Sequence, residues 1–335
     1  MKCKIFLILI FLCWYGKGSV FAQIDPHTSQ YYVNPLFLNP ALTGLQQANI
    51  KVSGIHRSQW GNITSPFVTN ALNVEVATNK NLNFGASLFS QTAGEGGYQY
   101  INASFSINYT GLRFGENGSQ QINMALQAGI MNRRFDPTKF TLGDQWNPLT
   151  GFNPLNPTAD IFNLRSQYIA DLGVGLLYFD GNANHKAQPY LGVSVFHINQ
   201  PEDPLSASIQ GGAIPTRLNI MGGVSYQISE RSSLVPHFLW MKQGVATELM
   251  LGVYHQLQVN ELLAFLTGMN YRVKDALIPF VGLQYQQYLL GLSYDVNASS
   301  LGKLTGNANS FELTLSITGR RLEKNNNNYF KCPRL

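Results

Sequence analysis

Charge is scarce in this 335-residue chain: Asp, Glu, Lys and Arg together make up 12%, about half the ~25% usual in soluble domains. Cysteine is scarcer still, limited to Cys3, Cys13 and Cys332. No apolar run reaches the ~20 residues of a membrane-spanning helix, which excludes a bundle of such helices. His56, His185, His197, His237 and His255 are scattered, with no HExxH and no His/Cys grouping at metal-ligand spacing. Aromatic residues, by contrast, reach 12%, with 16 Tyr and 20 Phe, beside 31 Gly. Mean hydropathy is -0.07. So many aromatics with so little charge exclude intrinsic disorder, and the length allows either two ordinary domains or one large all-β domain.

Met1 to Ala22 reads as a secretory signal peptide. Lys2 and Lys4 supply the positive start and Ile5 to Tyr15 the apolar stretch, with Val20 and Ala22 placed for a cut before Gln23. The segment carries Lys2, Lys4 and Lys17 and no acid. Of 23 basic residues 20 therefore remain against 18 acidic ones, a balance of +2. The sequence pI of about 9.0 thus partly reflects the leader and does not point to nucleic acid, whose binding needs clustered Lys and Arg. Only Cys332 stays in the mature chain, so packing and backbone hydrogen bonds must hold the fold.

From about residue 48 the dominant hydrophobic period is two. Ile101, Ala103, Phe105, Ile107 and Tyr109 alternate with Asn102, Ser104, Ser106 and Asn108; Phe311, Leu313, Leu315 and Ile317 face away from Glu312, Thr314, Ser316 and Thr318. Marking every such run predicts fourteen strands, near 48–58, 66–77, 81–91, 98–110, 121–131, 167–179, 188–197, 216–228, 232–242, 245–256, 261–272, 277–286, 288–297 and 310–319. The runs at 232–242 and 277–286 hold Pro236 and Pro279, which suit edge strands better than central ones. The fold is read as all-β, with no linker dividing it.

A soluble sandwich also alternates, but most of these runs are longer than the ~5–6 residues of a globular strand and match the ~9–11 of a tilted transmembrane strand. The apolar rows are nearly free of charge while the opposite rows are small and polar. That is the inversion a transmembrane antiparallel β-barrel needs: lipid outside, a polar and watery lumen inside. With the first strand leaving the periplasm, the longest connections, 132–166, 198–215 and 298–309, all fall on the outward side, where barrels carry long loops. Inward connections are short except 111–120.

No catalytic constellation is legible, and the reading is non-enzymatic with no cofactor. Asp171, Glu248, Asp295 and Glu312 fall on lumen-facing rows. Gly94, Glu95, Gly96 and Gly97 precede a strand and lack the Lys and Ser/Thr of a phosphate loop, so they read as an outward turn. The 132–166 connection carries Arg133, Arg134, Phe135, Trp146, Phe152 and Phe162 with Pro137, Pro148, Pro154 and Pro157. Such a loop is either a plug folded into the lumen or a recognition surface, and the residues leave the choice open.

The start of the mature chain is more specific. Asp25-Pro26-His27-Thr28-Ser29-Gln30-Tyr31-Tyr32, then Asn34-Pro35-Leu36-Phe37-Leu38-Asn39-Pro40-Ala41 and Thr43-Gly44, resembles the opening of the PorP/SprF family of outer-membrane proteins of type IX secretion and gliding. His56-Arg57-Ser58-Gln59-Trp60 is similar to that family's Tyr-Arg-x-Gln-Trp motif, with histidine in place of tyrosine, and Cys332-Pro333-Arg334 is similar to its C-terminal end. The resemblance implies a barrel in the outer membrane that binds the C-terminal domain of a large secreted adhesin, works with other type IX components and holds the adhesin at the cell surface. Outer-membrane lipid is its other partner, and nucleic acid is not one. A plugged transport barrel or porin for a small solute is the alternative.

Physically, Asn34-Pro35 and Asn39-Pro40 disfavour regular structure. Residues 23–47 are therefore expected to form an irregular periplasmic segment that plugs the periplasmic mouth or docks a partner. The barrel is expected over 48–319 and a periplasmic tail over 320–335. Arg57 and Trp60 close the first strand at the outward rim, Arg57 suited to an internal ion pair and Trp60 to an interfacial anchor. Asp25, Asn39, Pro40, Arg57, Gln59, Trp60, Arg133, Arg134 and Trp146 are the partner-binding candidates.

Overall fold

The computed structural model describes residues 25–319 apart from 47, 62–64, 79, 95–96, 137–138, 140–141, 154, 157–165, 204, 206–211 and 299–308. The expected signal peptide, Phe162, Pro137, Pro154, Pro157 and the tail with Cys332-Pro333-Arg334 lie outside the described residues. The wall is built from Ile50–Gln59 (β1), Phe67–Val76 (β2), Leu82–Ala93 (β3), Tyr98–Phe114 (β4) and Gln120–Arg134 (β5). It continues through Tyr168–Asp180 (β8), Ala187–Phe196 (β9), Arg217–Ser229 (β10), Ser232–Gln243 (β11) and Ala246–Gln258 (β12). Leu263–Arg272 (β13), Ala276–Tyr285 (β14), Tyr288–Asn297 (β15) and Ser310–Thr318 (β16) complete it. Each strand pairs antiparallel with its neighbours, and β1 pairs with β16 from Lys51↔Thr318 to Gln59↔Ser310, closing the barrel with no open edge.

The pleat sorts the residues as a lipid environment requires. Along β16, Ser310, Glu312, Thr314 and Ser316 are buried while Phe311, Leu313, Leu315 and Ile317 are exposed. In water such a surface would be an aggregation hazard; facing acyl chains it costs nothing, while closing the ladder removes the sheet edges that would expose rows of unpaired backbone groups to the bilayer. Pro236 and Pro279 sit inside paired strands. Each is accommodated by a local break: β10–β11 pairing lapses between Gly223↔His237 and Tyr226↔Leu234, and β14–β15 pairing between Leu277↔Val296 and Phe280↔Ser293. A proline lacks the donor for one ladder bond, and a short gap is enough to absorb it.

Three expectations are corrected. The 111–120 connection is half strand: β4 runs to Phe114 past a register shift between Tyr109 and Leu112, leaving 115–119 as the turn. The shift adds an unpaired residue that lets two long strands keep pairing where strict alternation has lapsed. The N-terminal segment is not irregular throughout. It makes a 3₁₀ turn at Tyr31–Val33, a one-turn α-helix at Pro35–Leu38 and a second 3₁₀ turn at Pro40–Leu42, each proline standing first, where its missing N–H is no loss. The lumen, finally, is not left open: among the described residues this segment runs through it, with Tyr31, Leu36, Leu38, Ala41 and Leu42 buried.

Candidate functional site

Residues 25–46 thread the barrel lengthwise rather than lying across one mouth. Asp25 meets the ends of β9, β10 and β11 on the long-loop side, while Gly44 meets Glu75 and Asn83 near the opposite end. A segment outside any ladder must satisfy its backbone another way, and the small polar lumen row supplies the partners. Asn108 Nδ2 donates to the carbonyls of Ala41 and Thr43 (3.0 and 2.8 Å), and Asn219 Nδ2 and Ser194 Oγ donate to that of Leu38 (2.8 and 2.6 Å). Asn39 Nδ2 donates to the Leu176 carbonyl at 3.0 Å. Gly175 makes that approach possible, since a Cβ there would stand 2.1 Å from Asn39 Oδ1.

Two clusters of buried charge hold the first six of these residues. In one, Glu312 takes the backbone N–H groups of Ser29 and Gln30 on its two oxygens (2.8 and 2.7 Å). Arg57 donates to Asp295 at 2.9 Å and lies 3.3 Å from Glu312. Arg272 donates to Asp295 (3.2 Å) and Asp275 (2.7 Å). Ser29 Oγ stands at the centre, donating to Asp295 and accepting from Arg57 and Arg272. Below it, Tyr32 packs its ring against His237, Tyr254 and Phe280. Burial, followed by the fields of Arg272 and Arg57, holds the His27 imidazole well below its ordinary pKa. Its Nδ1 stands 3.3 Å from Glu248 Oε2.

In the second cluster Asp25 Oδ2 accepts from His197 Nε2 (2.7 Å) and Arg217 Nη1 (2.8 Å), and His197 Nδ1 lies 2.8 Å from Asp171. The Arg217 guanidinium is sandwiched between the rings of Phe37 and Phe196, at 4.3 and 4.4 Å. Burial alone would lower the pKa of His197, but the Asp25 charge and hydrogen bonds to Asp171 and Asp25 outweigh it and push it up to about 9. Asp25 resists ionisation through burial, yet His197 and Arg217 hold its carboxyl below the usual range.

The sign follows from the linkage between proton binding and folding. His197 contributes stability that is complete below about pH 6.5 and is lost as pH rises through about 9, of the order of 3 kcal/mol. Urea unfolding in detergent at pH 6, 8 and 9.5 is expected to show that fall, and His197→Gln to flatten it. An equally steep fall in the variant would assign the effect elsewhere.

Asp25, Asn39, Pro40 and Arg57 are thus buried, with their polar side chains engaged by the barrel wall or the segment itself. Arg133 donates to Tyr98 and pairs with Asp203. Gln59 and Trp60 lie at the rim, Trp60 with a left-handed φ of 61° and its ring edge-on to Phe67. Arg134 is exposed and donates to Gln99 at 2.8 Å. Trp146 belongs to a small hairpin in the long loop, Trp146–Asn147 (β6) paired with Gly151–Phe152 (β7), and is exposed beside Leu149 and Leu155. The described part of this loop does not plug the lumen. Ser29, His197, Arg217 and Arg272 were not anticipated as site residues, although the last three are isolated charges at the strand ends.

A closed fourteen-strand barrel, apolar outside and threaded by its own N-terminal segment, defines an outer-membrane protein. The chain belongs to the family described as type IX secretion system membrane protein PorP/SprF, matched over residues 20–317. No curated protein matches the sequence. Among solved structures, the toluene transporter TbuX of Ralstonia pickettii is similar in fold, with 12% identity, a TM-score of 0.52, and 92% of this chain and 96% of that chain covered. A ΔS2S3 mutant of the monoaromatic hydrocarbon channel TodX has 8% identity, a TM-score of 0.51 and coverage of 88% and 95%; TodX is a P. putida toluene transporter.

Proposed function

We propose that this barrel is a non-enzymatic accessory of type IX secretion that binds the C-terminal domain of a secreted, adhesin-like protein on its long-loop side and holds it at the cell surface, in the service of adhesion or gliding. The observation that carries the reading is the apolar exposure along the long loop, where Trp146 is 61%, Leu155 88% and Leu149 94% exposed. Large apolar side chains left exposed on one loop favour burial against a partner. The filled lumen supports capture outside the barrel over passage through it, and other type IX components are the further partners.

The test is capture of a purified type IX substrate C-terminal domain by the detergent-solubilised barrel. Trp146→Ala combined with Leu149→Asp is expected to weaken capture at least tenfold while the barrel keeps its heat-modifiable mobility on gels. Undiminished capture by this variant would remove the hairpin from the mechanism. Solute transport, the activity named for TbuX and TodX, would be supported here by steady single-channel conductance of the intact chain.

A further inference from the structure

We propose that the outside of the wall formed by β2 to β5 binds one phosphorylated, multiply acylated lipid of the lipid A type. The outward rows of β3, β4 and β5 carry Ala86, Ala103 and Ala128 where neighbouring positions carry Leu88, Phe105 and Ile130. The missing bulk leaves a groove of about 560 Å³, with Ser104 and Gly129 also in its lining. It is a shallow, open depression on the lipid-facing side, where its occupant has to be apolar.

Charge at the head of the groove selects among lipids. Arg134 lies on the same outward row of β5 as Ala128 and Ile130, since every second residue shares a face. Its Nε donates to Gln99, which shares the outward row of β4 with Ala103 and Phe105. The exposed Lys139 lies at the same corner, its stem close against Gly97, where an added Cβ would stand 2.8 Å from Lys139 Cδ. Tyr168, exposed on the adjoining β8, pairs with Asn132 one step below Arg134.

The four steps along the chain from Ile130 to Arg134 span about 13 Å of strand, or about 10 Å of depth at the usual barrel tilt of 35–45°. That places the guanidinium toward the headgroup level while the groove stays at the level of the acyl chains. The guanidinium suits bidentate phosphate binding, and a second cation beside it suits a headgroup with two phosphates. The long-loop side faces the outer leaflet, where such a lipid resides.

Native mass spectrometry of the full mature barrel, titrated in parallel with bisphosphorylated lipid A and with phosphatidylglycerol, tests this. One lipid A is expected to be retained, with phosphatidylglycerol at least tenfold weaker. Arg134→Glu with Lys139→Glu, both exposed sites, should weaken lipid A retention at least tenfold, as should filling the groove with Ala103→Leu and Ala128→Leu. Arg134→Gln alone should weaken it measurably. Heat-modifiable mobility confirms that each variant is folded. Equal retention of phosphatidylglycerol, or retention indifferent to either the charge or the groove variants, would overturn the proposal. Substrate capture does not enter the measurement, so this result stands or falls apart from the proposed function.

Discussion

Arg57→Leu is expected to cost about 3–5 kcal/mol of unfolding free energy, the range for breaking a buried ion pair from one side. Arg57 is 1% exposed and faces Asp295 and Glu312, themselves 3% and 0% exposed. Without it Asp295 keeps only the Arg272 guanidinium, Glu312 keeps only the Ser29 and Gln30 amides, and Ser29 Oγ loses a donor. The triple variant Arg57→Leu, Asp295→Asn, Glu312→Gln removes the charges together and should recover much of the loss, because the penalty lies in the uncompensated charges rather than in the absence of the bridge. Urea titration in detergent checks both. A single-variant loss below about 1 kcal/mol would show that the carboxylates find other compensation. The same variant should also loosen the segment, whose Ser29 and Gln30 amides hang on Glu312.

Deleting residues 25–45 should convert a silent barrel into a conducting one. Tyr31, Leu36, Leu38, Ala41 and Leu42, all buried, fill the lumen from within, and the wall behind them is lined by Asn, Ser, Thr and Glu side chains that water will solvate at once. Planar-bilayer recording is expected to show stable single-channel steps for the deletion and none for the intact chain. Matching traces from the two proteins would mean that the segment does not close the pore. The deletion also bears on secretion: if substrate export and capture are unchanged, the segment is a structural filling and not a docking element.

Much of this architecture is legible in local pattern. All fourteen wall strands follow from period-two alternation, since a residue's side of the sheet is set by its parity and the two sides of this sheet meet different media. Arg57 could be assigned to an internal ion pair because it is a cation at an inward position of a strand whose lumen row faces the acids of other strands. The long loop is harder to place from sequence. Its aromatics and prolines suit a plug as well as a surface, and only the competing occupant of the lumen separates the two. Pro236 and Pro279 mislead in the other direction, because a ladder gap of one or two positions is invisible until strand partners are known.

The amino-acid sequence by itself determined that the chain closes into an apolar-faced barrel, roughly where each strand lies, and which family it belongs to, because these depend on residues close together in the chain. Only the tertiary structure decided that residues 25–46 thread the lumen and that Ser29, Arg57, Arg272, Asp295 and Glu312 form one cluster. Ser29 and Glu312 are 283 positions apart, and no local periodicity encodes a contact that exists only once β1 has met β16.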